Sequence, residues 1–335
     1  AKDQLVSWLK DHRIASYRAA QILKWVYLRQ EDTFEKMTDL SKSLRAVLSD
    51  HFTVRRLEKL HTEISQDGSH KYLFRLEDGH LIESVLIPEK NHSTLCLSSQ
   101  VGCAQGCRFC LTARHGFVRN LTAGEIIAQV RDVLRETNHS KPLSNIVFMG
   151  MGEPLANYSN VVNAIHIITD NDFGFKFSNR KVTVSTAGLV PKLSNLGTDT
   201  RVNIAISLNA TDNERRSQLM PINRKYPIEI LLKACRKYPL LPGRKIFFEY
   251  ILIKGVNDTE KNALRLSKLL RPLRAKVNLI PFNEFNGCIF SRPSEEAINR
   301  FQEILLQHHY TTVIRHSKGQ DISAACGQLS GNWDL

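Results

Sequence analysis

Three cysteines, Cys103, Cys107 and Cys110, stand in a C-x3-C-x2-C spacing just after an apolar, strand-like run. Thiolates so spaced can hold three corners of a [4Fe–4S] cluster. The fourth iron is then left without a protein ligand, and an open iron can bind a small molecule and pass it an electron. The same cysteines with His115 also match a Cys3His zinc site, in which four ligands close around one structural ion. The surroundings weigh against zinc. The loop lies between a strand-like run at 94–100 and a helix-like run at 122–136, and further strand-then-helix units follow. A zinc knuckle needs no such scaffold.

Other strand ends carry small or polar residues. GMGEP spans 150–154, where glycines permit close approach to the backbone and Glu153 presents a carboxylate. Ser185 lies in VTVSTAG, Ser207 and Asn209 in AISLNA, and Asn283 in LIPFNEF. Singly, each reads as a turn or cap residue. Their shared place at strand ends predicts one ligand lying across them.

The elements that must position these residues fall into three stretches. Residues 1–50 read as a helical accessory domain, with Ile22, Leu23, Val26 and Tyr27 on one helical face. Residues 51–90 read as a β-hairpin extension: Tyr72, Phe74 and Leu76 alternate with polar neighbours, and Asp78-Gly79 supplies the turn. Residues 91–335 form the core. Strand-like runs at 94–100, 145–149, 181–186, 201–208, 245–253 and 276–282 alternate with helix-like runs at 122–136, 158–169, 189–196, 228–238, 258–270 and 294–308. Such alternation implies an α/β fold with parallel strands and helical crossovers. Six units are too few for a closed eight-fold barrel, so a curved, partly open barrel is expected, with its chemistry at the C-terminal strand ends.

Composition sets the setting. The chain has 335 residues, 42% hydrophobic and 24% charged, ordinary for a globular protein. It holds no apolar run of about 18 residues, so no membrane span is expected. Its first residues lack the apolar core of a secretory signal. Seven cysteines, an odd number, predict a reducing cytoplasm and thiols kept for chemistry or metal. The formal charge of +13 favours a polyanionic partner, most simply nucleic acid. Lys233, Arg236, Lys237, Arg244 and Lys245 form one basic group, and Lys268, Arg271, Arg274 and Lys276 a second.

Taken together, YRAAQILKWVY, SSQVGCAQGCRFC, VFMGMGEPLANY, VTVSTAGLVP, RSQLMPIN and DISAACGQL resemble the radical S-adenosylmethionine RNA methyltransferases of the RlmN/Cfr family, closer to RlmN. The resemblance implies a partial (β/α)6 barrel with a helical N-terminal accessory domain. It implies a [4Fe–4S] cluster on Cys103, Cys107 and Cys110. It also implies S-adenosylmethionine, two molecules per turnover, contacted by Gly152, Glu153, Ser185, Ser207, Leu208, Asn209 and Asn283. Many relatives have His where this chain has Asn209.

The resemblance further assigns Cys326 as the thiolate that takes a methyl group from one S-adenosylmethionine. A radical made from the second removes hydrogen from that methyl, and the carbon adds to adenine. Glu83, in IESVLIPE, then takes the ring proton, and Cys96 releases the product by forming a disulfide with Cys326. Read without the resemblance, Cys96 and Cys326 are buried small hydrophobes and Glu83 an exposed strand carboxylate. The small neighbours of Cys326 suggest a mobile loop. Cys235 fits a core position, and Cys288 has no derivable role. The implied substrate is C2 of an adenosine in 23S rRNA, with an adenosine of the tRNA anticodon loop as a second target. The implied electron donor is a reductase-type protein such as flavodoxin, and the chain is expected to act as a monomer. The alternatives are C8 methylation by the antibiotic-resistance branch of the family and a non-catalytic, metal-stabilised RNA-binding protein. Pro154 favours C2, since the C8 relatives carry Ala there.

Overall fold

The computed structural model describes residues 2–136 and 141–331. Three helices open the chain: α1 (Lys2–Asp11), α2 (Arg18–Tyr27) and α3 (Lys42–His51). They bury a core of their own, with Leu9, Ala19, Ile22, Phe34, Met37, Leu44 and Leu48 at its centre. Ser41 caps α3 by accepting from the Leu44 N–H.

Strands β1 (Glu58–Ile64), β2 (His70–Arg75) and β3 (Leu81–Pro88) follow. The expected hairpin is thus three antiparallel strands, and these are no separate appendage. β3 pairs antiparallel with β4 (Ser93–Cys96), the first strand of the barrel. β5 (Gln100–Gly102), α4 (Leu111–Arg114), β6 (Phe117–Asn120) and α5 (Ala123–Glu136) come next. The expected single run at 94–100 is broken because the chain leaves the sheet after Cys96. The Ser98 N–H donates to Gln129 Oε1, the Ser98 hydroxyl to the Glu83 carbonyl and the Ser99 N–H to the Met151 carbonyl. β5 then pairs with β6 in a small ribbon beside the cysteine loop.

The remaining elements are β7 (Leu143–Phe148), α6 (Tyr158–Thr169), β8 (Val182–Thr186), α7 (Leu193–Thr200), β9 (Asn203–Ser207), α8 (Asn213–Leu219), α9 (Ile228–Lys237), β10 (Ile246–Leu252), α10 (Glu260–Leu270), β11 (Ala275–Pro281), α11 (Glu295–Gln307) and β12 (Thr312–Ile314). One ten-stranded sheet runs β1-β2-β3-β4-β7-β8-β9-β10-β11-β12, and every pair from β4 to β12 is parallel. The order is linear, so the barrel stays open. β12 adds a seventh parallel strand to the six expected; three residues are too short to announce themselves by alternation. α8 was also not anticipated.

The parallel strands are buried on both faces and read as apolar runs, with Val184, Ile204, Phe248, Tyr250, Val277 and Leu279 at 1% exposure or less. The helices cover them with amphipathic faces. α9 buries Ile228, Leu231, Leu232 and Cys235 and turns Lys233, Arg236 and Lys237 outward. Both basic groups therefore lie at the C-terminal ends of α9 and α10 and the starts of β10 and β11. That is the end of the barrel opposite the cysteine loop.

The N-terminal helices are tied to the barrel by charge. Arg56 Nε lies 2.7 Å from Asp32 and its Nη1 2.6 Å from Asp132 on α5. Arg131 Nη2 reaches Asp32 at 2.8 Å.

Candidate active site

Cys103 follows β5, and its N–H donates to the Gly116 carbonyl at 2.7 Å, which sets the start of the loop. The Cys110 N–H donates to the Cys107 carbonyl at 3.1 Å, closing the loop before α4. Burial pushes the Cys103 thiol up to about 12 and raises Cys107 and Cys110 as well. The three thiols also act on one another: Cys110 and Cys103 both raise Cys107. Desolvated thiols that lose their protons only with difficulty are what a cationic metal core compensates. Among the described residues no three His, Cys, Asp or Glu side chains converge on a single metal ion. His115 is exposed at the end of α4. Three thiols spread over separate irons fit the cluster better than a closed zinc site.

The GMGEP turn works differently from its sequence reading. A Cβ on Gly150 would lie 2.7 Å from the Leu97 carbonyl oxygen, and one on Gly152, at φ +99°, 2.5 Å from Gln100 Cβ. The glycines therefore admit the chain's own segment 97–100. The turn is stitched to that segment by Gly150 N–H to the Leu97 carbonyl, Met151 N–H to the Ser98 hydroxyl and Glu153 N–H to Gln100 Oε1. It thereby fixes the approach to the cysteine loop. Glu153 is buried, and burial raises its pKa. Its Oε1 accepts from the Leu155 N–H and its Oε2 from the Ala187 N–H, which ties the ends of β7 and β8 together.

Ser185 and Ser207 stand half-buried on β8 and β9. Leu208 and Asn209 are fully buried. Asn209 has φ +58°, a left-handed conformation that Asn tolerates. Its Oδ1 accepts from the Ile251 N–H at 2.9 Å, and its Nδ2 faces Met220 Sδ at 3.3 Å. Both ends of its amide are committed to the turn. Asn283 is likewise committed: Nδ2 donates to the Cys326 carbonyl at 3.1 Å and Oδ1 accepts from Gln320 at 2.9 Å.

Cys326 lies where the C-terminal segment crosses the strand ends. The segment is pinned, contrary to the expectation of a free loop. The Leu111 N–H donates to the Gly327 carbonyl at 2.7 Å, Thr112 Oγ1 to the Leu329 carbonyl, and Gln328 Nε2 to the Glu284 carbonyl. The residue as a whole is exposed, yet desolvation pushes its thiol up to about 11, the state of a group lining a recess. Glu249 on β10 raises it further, as does Cys110 to a smaller extent, while Arg315 lowers it. Cys96, buried at the end of β4, is raised by burial and next by Cys326. The cluster-loop cysteine, the Cys326 thiol and the Cys96 thiol thus share one electrostatic neighbourhood.

Glu83 is not the exposed carboxylate of the unaided reading. It is 1% exposed on β3. Its Oε2 accepts from the Ser330 and Gly331 N–H groups at 2.8 and 3.0 Å, and its Oε1 lies 3.8 Å from Lys71 Nζ. Cys235 is buried in the core, and Cys288 lies at the edge of the apolar cluster around Phe109 and Phe282.

Two groups escaped the sequence reading. Glu249 is buried beside Asn278, whose Nδ2 donates to its Oε1 at 2.8 Å, and burial raises its pKa to about 7. Arg216, in RSQLMPIN, is fully buried beneath the ends of β8 and β9. Its partners come from distant carbonyls, and a basic residue beside Arg215 on a short helix gives no signal of burial.

A three-thiol loop at the strand ends of a parallel partial barrel defines the radical S-adenosylmethionine class. The Radical SAM superfamily model matches residues 97–266, and the model of the ribosomal RNA large subunit methyltransferase N-terminal domain matches residues 1–54. A crystal structure of a radical SAM methyltransferase from Sphaerobacter thermophilus superposes with a TM-score of 0.93 at 44% identity, covering 99% of this chain and 98% of that one. The dual-specificity RNA methyltransferase RlmN of Desulfosudis oleivorans is 57% identical over 98% of this chain and 89% of its own length. Its counterpart in Geobacter sulfurreducens is 53% identical over 99% of this chain and 91% of its own. The chain belongs to the RlmN family of radical S-adenosylmethionine RNA methyltransferases. Its cofactors are a [4Fe–4S] cluster and S-adenosylmethionine, two molecules of the latter per turnover. No helix among the described residues is long and apolar enough to cross a membrane.

Proposed function

We propose that the enzyme methylates C2 of an adenosine in 23S rRNA, at the peptidyl transferase centre, and of an adenosine in the tRNA anticodon loop. The observation that carries this reading is the position of Cys326, an exposed residue whose thiol is held within electrostatic reach of both Cys110 and Cys96. When bound, the cluster held by Cys103, Cys107 and Cys110 supplies the electron that cleaves one S-adenosylmethionine, and the other S-adenosylmethionine supplies the methyl group.

Adenine C2 is electron-poor, so it needs a carbon delivered by something other than ordinary methyl transfer. Cys326 loses its proton, accepts the methyl group at sulfur and presents it at the strand ends. That methyl loses a hydrogen atom, and its carbon bonds to C2. Glu83, anchored by two backbone N–H groups, takes the C2 proton. Cys96 then attacks the Cys326 sulfur as a thiolate: the S–S bond forms as the C–S bond breaks, the released carbon takes up a proton to become the methyl group, and the one excess electron of the adenine radical would pass back to the cluster. Ser185, Ser207, Leu208 and the backbone at Gly152 form the wall against S-adenosylmethionine, while Glu153, Asn209 and Asn283 hold that wall in place.

The names of the relatives and Pro154 favour C2 over C8. The enzyme acts in the cytoplasm as a monomer and takes its electron from a flavodoxin-type reductase. Nucleosides from RNA treated with the reconstituted enzyme, analysed by mass spectrometry, test the reading. It requires 2-methyladenosine in both RNAs. 8-Methyladenosine overturns the regiochemistry, and unmodified RNA with a fully loaded cluster overturns the function.

A further inference from the structure

Arg216 carries a full charge into the protein interior at 0% exposure. Its Nε donates to the Leu208 carbonyl at 3.0 Å, its Nη1 to Asn223 Oδ1 at 3.0 Å, and its Nη2 to the Ala187 and Ser207 carbonyls at 2.8 and 3.2 Å. Every one of these acceptors is neutral. None of the ion pairs among the described residues includes Arg216; the nearby Asp212 carboxylate pairs instead with Arg215 and Arg265. Dipoles orient the guanidinium but do not cancel its charge, and a buried ion without a counter-charge is strongly unfavourable.

The missing counter-charge is indicated by what the same segment touches. The Arg108 N–H donates to the Leu219 carbonyl at 3.0 Å, and a Cβ on Gly106 would lie 3.5 Å from Pro221. Residues 216–221 thus form a wall of the cysteine loop. Cys107 is the first group that acts electrostatically on Arg216. Three thiolates around a [4Fe–4S] core leave that site net anionic, and more so after it takes up an electron. The guanidinium lies on the protein side of this anion, where solvent cannot screen it.

We propose that Arg216 is the built-in counter-charge of the cluster: held by four neutral acceptors beneath the strand ends, it favours the reduced cluster over the oxidised one and so sets the potential at which the electron is accepted. The inference rests on the cluster reading of Cys103, Cys107 and Cys110. Arg216 is a positioning and tuning residue here; it touches no reacting atom.

The test is a redox titration of the reconstituted full chain with dithionite, followed by the electron paramagnetic resonance signal of the reduced cluster. Iron content is measured on the same samples. Arg216→Gln removes the charge and keeps part of the hydrogen bonding. Arg216→Lys keeps the charge and loses the fork. At equal iron content, Arg216→Gln should make one-electron reduction at least tenfold less favourable, a fall of about 59 mV for a one-electron couple. Arg216→Lys should stay within that margin of wild type. A merely structural arginine would lower the stability of both variants and leave both potentials unchanged, which overturns the proposal. Equal falls in Gln and Lys also overturn it, because charge would not be the cause. If Arg216→Gln does not fold, Arg216→Met takes its place as the charge-free variant: a fall of at least about 59 mV supports the proposal and an unchanged potential overturns it. Wild-type protein that takes up no iron would refute the cluster reading itself, a distinct result.

Discussion

Glu249→Gln should make the protein more stable, and only on the alkaline side. Glu249 points from β10 into the barrel interior, 6% exposed, with one hydrogen bond to its carboxylate among the described residues, from Asn278. Burial raises its pKa from 4.5 to about 7 against the lowering influence of Asn278, Arg315 and Lys276. A carboxyl group whose folded-state pKa is raised binds its proton more tightly folded than unfolded. Stability is therefore lost as pH rises from the unfolded pKa through the folded one, and the full penalty is present above about 7. The difference of about 2.5 units corresponds to about 3 kcal/mol at about pH 8, falling below ~1 kcal/mol at about pH 5. Gln keeps the acceptor that Asn278 uses and removes the ionisation. It also brings an N–H close to Asn278 Oδ1, which has no hydrogen-bond partner. Urea unfolding of the full-length chain at both pH values measures the effect, with wild type alongside. Equal stability of the two proteins at about pH 8 would refute the argument, since it would mean that water or a cation already compensates the carboxylate.

Cys96→Ala should accumulate an RNA–protein adduct, visible as a shifted band on a denaturing gel after turnover, while Cys326→Ala gives neither adduct nor methylated RNA; full activity of Cys96→Ala without a band would remove Cys96 from the mechanism. The cavity left at Cys96 should lower stability by only ~1 kcal/mol, so loss of fold does not explain the adduct. Cys326 in the protein without bound cofactors should react with iodoacetamide about tenfold faster per pH unit between about pH 7 and 9, because its thiol is raised to about 11; a plateau in that range, read by mass spectrometry, would contradict the raised value. RNA affinity should fall steeply with salt, yet replacing Lys233, Arg236 and Lys237 together by Ala should change it by less than about threefold, because beyond roughly 8 Å exposed charges are screened. A tenfold loss in a filter-binding assay would place RNA at the far end of the barrel.

Local spacing was the legible part of the site. Cys103, Cys107 and Cys110 lie within eight consecutive positions, so their spacing is readable from sequence alone, whatever distant segments the loop packs against. The long amphipathic helices were legible for the same reason, and 158–169 coincides with α6. What depends on distant partners was misread. Gly150 and Gly152 look like a ligand-binding turn until segment 97–100 is seen to occupy the space. Glu83 looks exposed because its partners, Ser330 and Gly331, lie about 250 residues away in sequence. The basic groups suggest an RNA surface, but a crossover helix and the strand after it meet at the end of the barrel away from the chemistry.

The pinned C-terminal segment explains how a thiol can be presented without being left open to side reactions. Residues 319–331 are held on three sides. Asp67 accepts from the Gly319 N–H and Lys71 donates to the Ile322 carbonyl, anchoring it to the antiparallel strands. Leu111 and Thr112 fasten it to the cysteine loop, and Asn283 and Gln328 to the end of β11. Cys326 sits where these three sets of contacts meet. Its place is therefore set jointly by the N-terminal strands, the cysteine loop and the last barrel strands, not by its own small neighbours. The same contacts that hold it surround it with protein, which keeps its thiol protonated at rest. A nucleophilic step at this sulfur must first remove that proton, so the resting thiol reacts slowly near neutral pH. Within this held segment the Gly319 and Gly327 positions, at φ +67° and +86°, are where the backbone can turn without strain.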